Sequence, residues 1–307
     1  MKRRLREEND KLRRLHIAHT QAMSEPLVTL LIPSYNHAAY IEKAIDSVLR
    51  QTYRAIELIV IDDGSKDGSP QLLARLAAQH GFRFEQQENQ GLSRTLNRGI
   101  ALASGKYICT VGSDDILMLD KTEKQVAFME THPHIAACGG NQLVIDPEGQ
   151  IVNKRQRFSP SRELDFDDLF LSRKALIAAS SAMIRLDVLE REGGYDPQIP
   201  LEDMYMWFKL TARGYKIAGL NDVLIYYRKH ASNSYKNVAY MTDSMLKIFA
   251  AYKNHPSYEQ VVNHYLISMF LRAAKYDRGL AFDIFKKINF KHYNAKVLRG
   301  LLYCVKP

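Results

Sequence analysis

The sequence predicts an α/β protein built on a central, mostly parallel sheet with helices on both faces. Two observations carry that prediction. Between residues 27 and 111, apolar runs of strand length alternate with longer stretches of helical periodicity, the pattern that right-handed βαβ crossovers produce. Polar residues gather just after those runs, at Ser34-Tyr-Asn36, Asp62-Asp63 and Asp114-Asp115, where the carboxyl ends of parallel strands leave room for a ligand.

Each element has its own signal. Residues 27–32 form a continuous apolar run closed by Pro33, as expected of a strand buried on both faces. Residues 40–51 place Ile41, Ala44, Ile45, Val48 and Leu49 on one helical face. Residues 56–61 make a second buried strand, followed by an Asp-, Gly- and Ser-rich turn and a helix over 70–80. A third strand is expected over 82–86, a helix over 93–103 and a fourth strand over 106–111, which runs into Asp114-Asp115. Further on lie a helix over 121–132, a strand and turn over 135–145, a polar linker over 146–162 and a buried segment over 176–184. A helix over 202–213 is capped by Gly214, and 223–227 is the last strand. From 236 onward the pattern is mainly helical.

Charge divides the chain further. The 307 residues carry a net charge of +9, with seven basic and three acidic residues in 1–24, twelve and four in 236–307, and 24 and 27 between. Basic ends suit either an anionic surface or solvated helix faces. The three cysteines, Cys109, Cys138 and Cys304, are odd in number and far apart, which points to neither a disulfide framework nor a zinc site and fits a cytoplasmic protein. No uncharged apolar run approaches the ~20 residues that span a bilayer, and the first residues lack the apolar segment of a signal peptide.

Six short motifs narrow the function. Pro33-Ser-Tyr-Asn36, Ile61-Asp-Asp-Gly-Ser65, Asn89-Gln-Gly91 with Asn97-Arg-Gly99, Ser113-Asp-Asp115, Glu202-Asp203 and Tyr227-Arg-Lys-His230 resemble, in order and spacing, the inverting family 2 glycosyltransferases of the GT-A fold. The resemblance covers residues 25–235, some two thirds of the chain. It implies a nucleotide-diphospho-sugar transferase with a Rossmann-like catalytic domain over 25–235. Residues 1–24 are then a basic N-terminal helix or linker, and 236–307 a basic helical extension.

The resemblance also implies roles. Asp115 is the residue expected to bind Mn²⁺ or Mg²⁺, which offsets the charge of a diphosphate leaving group, with His230 as either a further ligand or a surface histidine. Asp114 would contact the ribose or the metal shell, with Ser113 beside it. Asp63 matches the acceptor for the uracil N–H, and Pro33, Tyr35 and Asn36 line the nucleotide pocket. Arg94 is a phosphate contact, although relatives carry their basic residue where this chain has Leu96. Inversion needs a base opposite the leaving group, and Asp203 matches it, with Glu202 beside it as an acceptor contact or support. The Glu202-Asp203 pair also reads as a simple helix N-terminus, where acids are enriched and where the ionised form is favoured. Trp207 suits acceptor stacking or core packing equally.

Departures from the family pattern matter too. The motif is Ser-Asp-Asp, not Asp-x-Asp, and the Gln-x-x-Arg-Trp motif of processive synthases is absent, which implies one or a few sugars added per encounter. Relatives build bacterial polysaccharide, lipopolysaccharide or capsule on glycan or lipid-linked acceptors. The expected partners are therefore a UDP-sugar, such an acceptor and, through the basic ends, the inner face of the cytoplasmic membrane. The C-terminal helices suit packing on the catalytic domain, with membrane attraction secondary, or a homodimer contact. Three alternatives stand beside this reading. A catalytically inactive nucleotide-sugar-binding relative would serve as an assembly partner, a role that retention of Asp63, Asp115, Glu202 and Asp203 together argues against. Nucleic-acid binding lacks a motif, and a dehydrogenase lacks Gly-x-Gly-x-x-Gly after the first strand.

Overall fold

A computed structural model describes residues 25–152, 156–230, 233 and 236–305. The expected helix or linker over 1–24 lies outside the described residues. The strands are β1 (Val28–Ser34), β2 (Ile56–Asp63), β3 (Arg83–Gln87), β4 (Tyr107–Thr110), β5 (Ile116–Leu117), β6 (Ile135–Ile145), β7 (Arg162–Leu164), β8 (Met183–Arg185) and β9 (Lys216–Arg228). They form one sheet in the order β3-β2-β1-β4-β8-β6-β9-β5, with β7 on β9. The β3-β2-β1-β4 half is parallel, as the alternating sequence predicts. Antiparallel β8 then joins β4 to β6, and β6 pairs parallel with β9.

Alternation along β1 shows how the sheet divides the core. Val28, Leu30 and Ile32 face one cluster with Val60 and Cys109, while Leu31 faces the other with Ile59, Ile61 and Ile108. Side chains that alternate at period two reach both faces, so a buried strand needs apolar residues at every position. Helices α1 (Ile41–Leu49), α2 (Ser69–His80) and α4 (Lys121–Thr131) cover the first face. The second is covered by α3 (Leu92–Leu102), the short α5 (Phe166–Phe170) and α6 (Leu186–Arg191), α7 (Glu202–Ala212) and α8 (Val238–Ala250). Helix α8 places Met245, Ile248 and Phe249 in that core, and α9 (Tyr258–Ala273), α10 (Arg278–Phe285) and α11 (Ala295–Val305) enclose a third cluster around Phe270 and Ile284.

Two stretches differ from expectation. The polar stretch after β6 turns back on the sheet: Ile145 bridges Ile151, Val152 N donates to Val144 O, and Gln156 Nε2 donates to Gln142 O. Its polar composition reflects side chains that pair with strand backbone, which a sequence reads as a linker. The expected buried segment over 176–184 begins at exposed Leu176 and contributes only its last two residues, the start of β8, as strand, because Ala179–Ser181 coil into a 3₁₀ turn.

Candidate active site

The polar ends of β1, β2 and β4 are neighbours in the sheet, and the end of β9 reaches them beside β5, where Arg228 meets Asp115. After β1, Asn36 adopts a left-handed backbone, φ 54°, which asparagine tolerates better than most residues. Its backbone N–H donates to Ser65 Oγ at 2.9 Å and its Oδ1 accepts Lys66 N at 2.7 Å, so it ties the β1 and β2 loops together. Asp62 accepts both the N–H and the hydroxyl of Ser65. Asp63 holds the next loop: Oδ1 accepts Gln87 Nε2 and Gln90 N, and Oδ2 accepts Gly91 N, all at 2.8–2.9 Å. Gly64 lies between them at φ 76°, and a Cβ there would stand 2.7 Å from Asn89 N. Glycine meets both the turn and that close approach.

The adjacent carboxylates separate. Asp115 turns inward, 1% exposed, and its Oδ1 accepts Arg228 N at 2.9 Å. Burial, then the neighbouring Asp114, push its carboxyl up to about 7. Arg228, itself fully buried, donates from Nε to Asp114 O and from Nη1 to Asp146 O and Pro147 O at 2.8–3.0 Å, and its guanidinium lies 5.0 Å from the Tyr40 ring centre. Asp114 takes the open side, with Oδ2 2.7 Å from His230 Nε2. His37, on the loop after β1, places Nδ1 2.6 Å from Ser113 Oγ and its ring 5.7 Å from that of His230. One ligand atom from each of His37, Asp114 and His230 lies within 4.8 Å of the others.

The two carboxylates of the pair therefore have different surroundings. Asp115 is engaged by backbone inside the protein, and the carboxylate beside His230 is that of Asp114. His37 was not singled out by the motifs, although it directly follows Asn36. The signal was available: a histidine in the same strand-end loop as two motif residues, with a second histidine at the end of β9. Burial lowers the proton affinity of His37, and Asp114 only partly offsets this, so its imidazole is neutral at pH 7 and keeps a lone pair. Two imidazoles and one carboxylate suit Mn²⁺ better than Mg²⁺, which prefers oxygen ligands.

Glu202 and Asp203 open α7 and stay partly accessible though enclosed by protein. Burial, then Asp203, push Glu202 up to about 8, and burial raises Asp203 as well. The helix end favours ionisation by about 0.3–1 kcal/mol, less than the several kcal/mol that desolvation costs a charge, so enclosure prevails. Asn97 fixes the loop ahead of the pair, donating to Tyr195 O and accepting Tyr195 N at 2.7–2.8 Å. In the helix that carries Asn97, a Cβ on Gly99 would stand 2.2 Å from Leu31 Cδ2. These two motif residues are therefore scaffold.

Other expected site residues fall differently. Tyr35 is 47% exposed at the β1 end, and Pro33 and Ser113 sit beside it and His37 respectively. Exposed Arg94 donates to Gln90 O at 3.3 Å. Trp207 is 3% exposed within the core cluster of Met206 and Phe208. Of the two alternatives for Trp207, this burial fits packing.

The raised Glu202 carboxyl has a stability consequence. Between its unfolded value near 4.5 and its folded value near 8 the native state holds more protons, so stability falls as pH rises through that window. Glu202→Gln mimics the protonated form. Thermal melts are expected to match wild type at pH 4, below the unfolded value, and to exceed it at pH 9 by on the order of 2 kcal/mol, one pKa unit being about 1.4 kcal/mol and the titration being shared with Asp203.

The description "Glycosyl transferase family 2" matches residues 29–193, more than half the chain. The chain belongs to glycosyltransferase family 2. An uncharacterised glycosyltransferase of Rickettsia prowazekii is 32% identical over 226 residues, covering 70% of this chain and 67% of its own. One of Rickettsia bellii is 29% identical over 247 residues, covering 77% of this chain and 35% of its own. The chain thus spans well under half of some of the relatives it matches. Among solved structures, Staphylococcus aureus TarS 1-349 in complex with UDP-GlcNAc aligns with a TM-score of 0.62 at 18% identity, over 90% of this chain and 79% of that one. The mannosyltransferase PcManGT from Pyrobaculum calidifontis, in complex with GDP-Man and Mn²⁺, aligns with 0.60 at 17%, over 92% and 86%. These establish the GT-A fold of this family 2 member. Among the described residues, no helix is long and apolar enough to cross a membrane.

Proposed function

We propose that this family 2 member transfers one sugar at a time, with inversion, from a nucleoside diphosphate donor, a UDP-sugar by preference, to a hydroxyl of a glycan or lipid-linked acceptor in bacterial polysaccharide, lipopolysaccharide or capsule synthesis. The observation that carries the reading is the grouping of His37, Asp114 and His230 at the strand ends, with donor atoms within 4.8 Å. These residues would hold Mn²⁺, or less readily Mg²⁺. When bound, the ion supplies Lewis-acid neutralisation of the departing diphosphate. Asp63, Tyr35, Asn36 and Pro33 frame the nucleoside end, and the Ser113 hydroxyl orients His37. Both Asp63 oxygens already accept hydrogen bonds, so a base N–H would use a remaining lone pair.

Asp203 accepts the acceptor hydroxyl's proton as the new glycosidic bond forms on the face opposite the diphosphate. Raised proton affinity suits a general base operating near neutrality. Glu202 tunes it by like-charge proximity. Donor complexes solved with TarS and PcManGT, which contain UDP-GlcNAc and GDP-Man, support a nucleotide-sugar donor, and the donor set here supports Mn²⁺.

Calorimetric titration of UDP tests the site. Wild type is expected to bind UDP at least tenfold tighter with Mn²⁺ than with a chelator, and Asp114→Asn to lose that difference while keeping its melting temperature. Equal UDP affinity with and without metal would remove the cation from the mechanism, and tighter binding of another nucleoside diphosphate would reassign the base pocket. The anomeric configuration of the product, read by NMR, decides inversion.

A further inference from the structure

The C-terminal helices bury one apolar stripe and display another. On α11, Val297, Gly300 and Cys304 face inward, and Gly300 sits so close to Phe270 that a Cβ would stand 2.3 Å from its ring. Leu298, Leu302 and Val305, at spacings of four and three, form a second stripe on an outer face and are 62%, 55% and 75% exposed. Nearby in sequence, Tyr276 and Phe290 are 86% and 73% exposed, and Phe282 and Tyr293 are also exposed. These seven are nearly half of the exposed large hydrophobic residues of the described chain, which sets this region apart from ordinary scattered exposure.

The same segment is strongly basic. Residues 272–299 hold eight Lys and Arg and two Asp, while residues 25–235 carry a net −3. Lys286 and Lys287 are exposed between Phe282 and Phe290, and exposed Lys291 directly follows Phe290, while Arg299 and Lys275 flank the Tyr303 ring, 5.6 and 5.9 Å from its centre. Exposed aromatic and aliphatic side chains interleaved with lysines are what an anionic bilayer surface rewards, the rings and leucines entering the headgroup boundary and the cations meeting lipid phosphates. A second copy fits poorly, because a two-fold interface would set one basic patch against its twin. The aliphatic stripe likewise suits hydrocarbon better than nucleic acid, whose readers present stacking aromatics.

We infer that the exposed side chains of α10, the Phe290 turn and the outer stripe of α11 dock on the surface of an anionic phospholipid bilayer, lying on it without crossing it. The inference is independent of the donor and base assignments. It extends the sequence expectation of membrane attraction from basic ends in general to named anchors in the C-terminal helices.

Vesicle flotation with the full chain tests it. Wild type is expected to float with phosphatidylcholine vesicles containing phosphatidylglycerol at least tenfold more than with phosphatidylcholine alone, and high salt should weaken that binding. The triple variant Leu298→Ser, Leu302→Ser, Val305→Ser should lose about tenfold in binding while keeping its melting temperature and UDP affinity. The variant Lys286→Glu, Lys287→Glu, Lys291→Glu alters only solvated side chains and should lose as much, which keeps the test decisive if the first variant misfolds. Binding that ignores lipid charge, or that survives both variants, overturns the inference. So does a dimer in sedimentation equilibrium that the serine variant dissociates while vesicle binding is unchanged, since the stripe would then belong to a second copy.

Discussion

Asp203→Asn is expected to lower kcat by about 10²- to 10⁴-fold, the usual contribution of a positioned general base, with donor affinity unchanged. The amide keeps the shape of the side chain at the start of α7 and can still accept from Met204 N, which lies 2.6 Å from Asp203 Oδ1. It cannot take a proton from the acceptor hydroxyl. Turnover at the wild-type rate would remove Asp203 as the base. The pH profile adds a readout that a structural role would not move. In wild type the pair shares its titration, and enclosure holds its protons to higher pH than isolated carboxyls would, so kcat/KM should rise with pH as the pair ionises. Glu202→Gln removes the like charge, lowers the proton affinity of Asp203, and should move that rising limb to lower pH. An unmoved limb would separate the two residues.

Much of the fold was legible because its core strands have a simple physical signature. β1 and β2 are buried on both faces and therefore read as mainly apolar runs, interrupted by Thr29 and Glu57, within about two residues of their observed bounds. β9 shows five residues of strand pattern in the sequence and spans thirteen, because Gly219, Asn221 and Asp222 resemble a turn. The strand tolerates them where β6 shifts register between Gly139 and Asn141, an irregularity set by distant partners that no local window contains. β5, two residues long, exists only because β9 pairs with it.

The site was legible as a set of loops and less so as orientations. Adjacent residues at a strand end point to opposite sides, so one of Asp114 and Asp115 must turn inward. The choice is made by Arg228, more than a hundred residues later, whose N–H reaches Asp115. Likewise Asn97, Gly99 and Asp63 belong to motifs suggestive of ligand binding, yet each visibly organises backbone or packing, since a loop that presents a ligand must itself be held. Trp207 is ambiguous in sequence because helical periodicity places it on neither face decisively, and its burial in the cluster of Met206 and Phe208 places it in the core.

Arg228 should consequently matter more for stability than its place beside the donor loops suggests. Arg228→Ala is expected to destabilise the protein by about 3–5 kcal/mol, the range for removing one member of a buried charged network. Three carbonyls, those of Asp114, Asp146 and Pro147, lose their donors at once, and inward-facing Asp115 loses its cationic neighbour. Arg228→Lys keeps the charge but presents one ammonium where the guanidinium spans several carbonyls, so it should recover only part of that loss. Denaturant melts of both variants measure it. The N–H that Asp115 Oδ1 accepts is the Arg228 backbone's and survives both substitutions, so the loss is assigned to the guanidinium. A change under about 1 kcal/mol for Arg228→Ala would show that solvent or neighbouring side chains replace it, and that the inward turn of Asp115 is held by backbone alone.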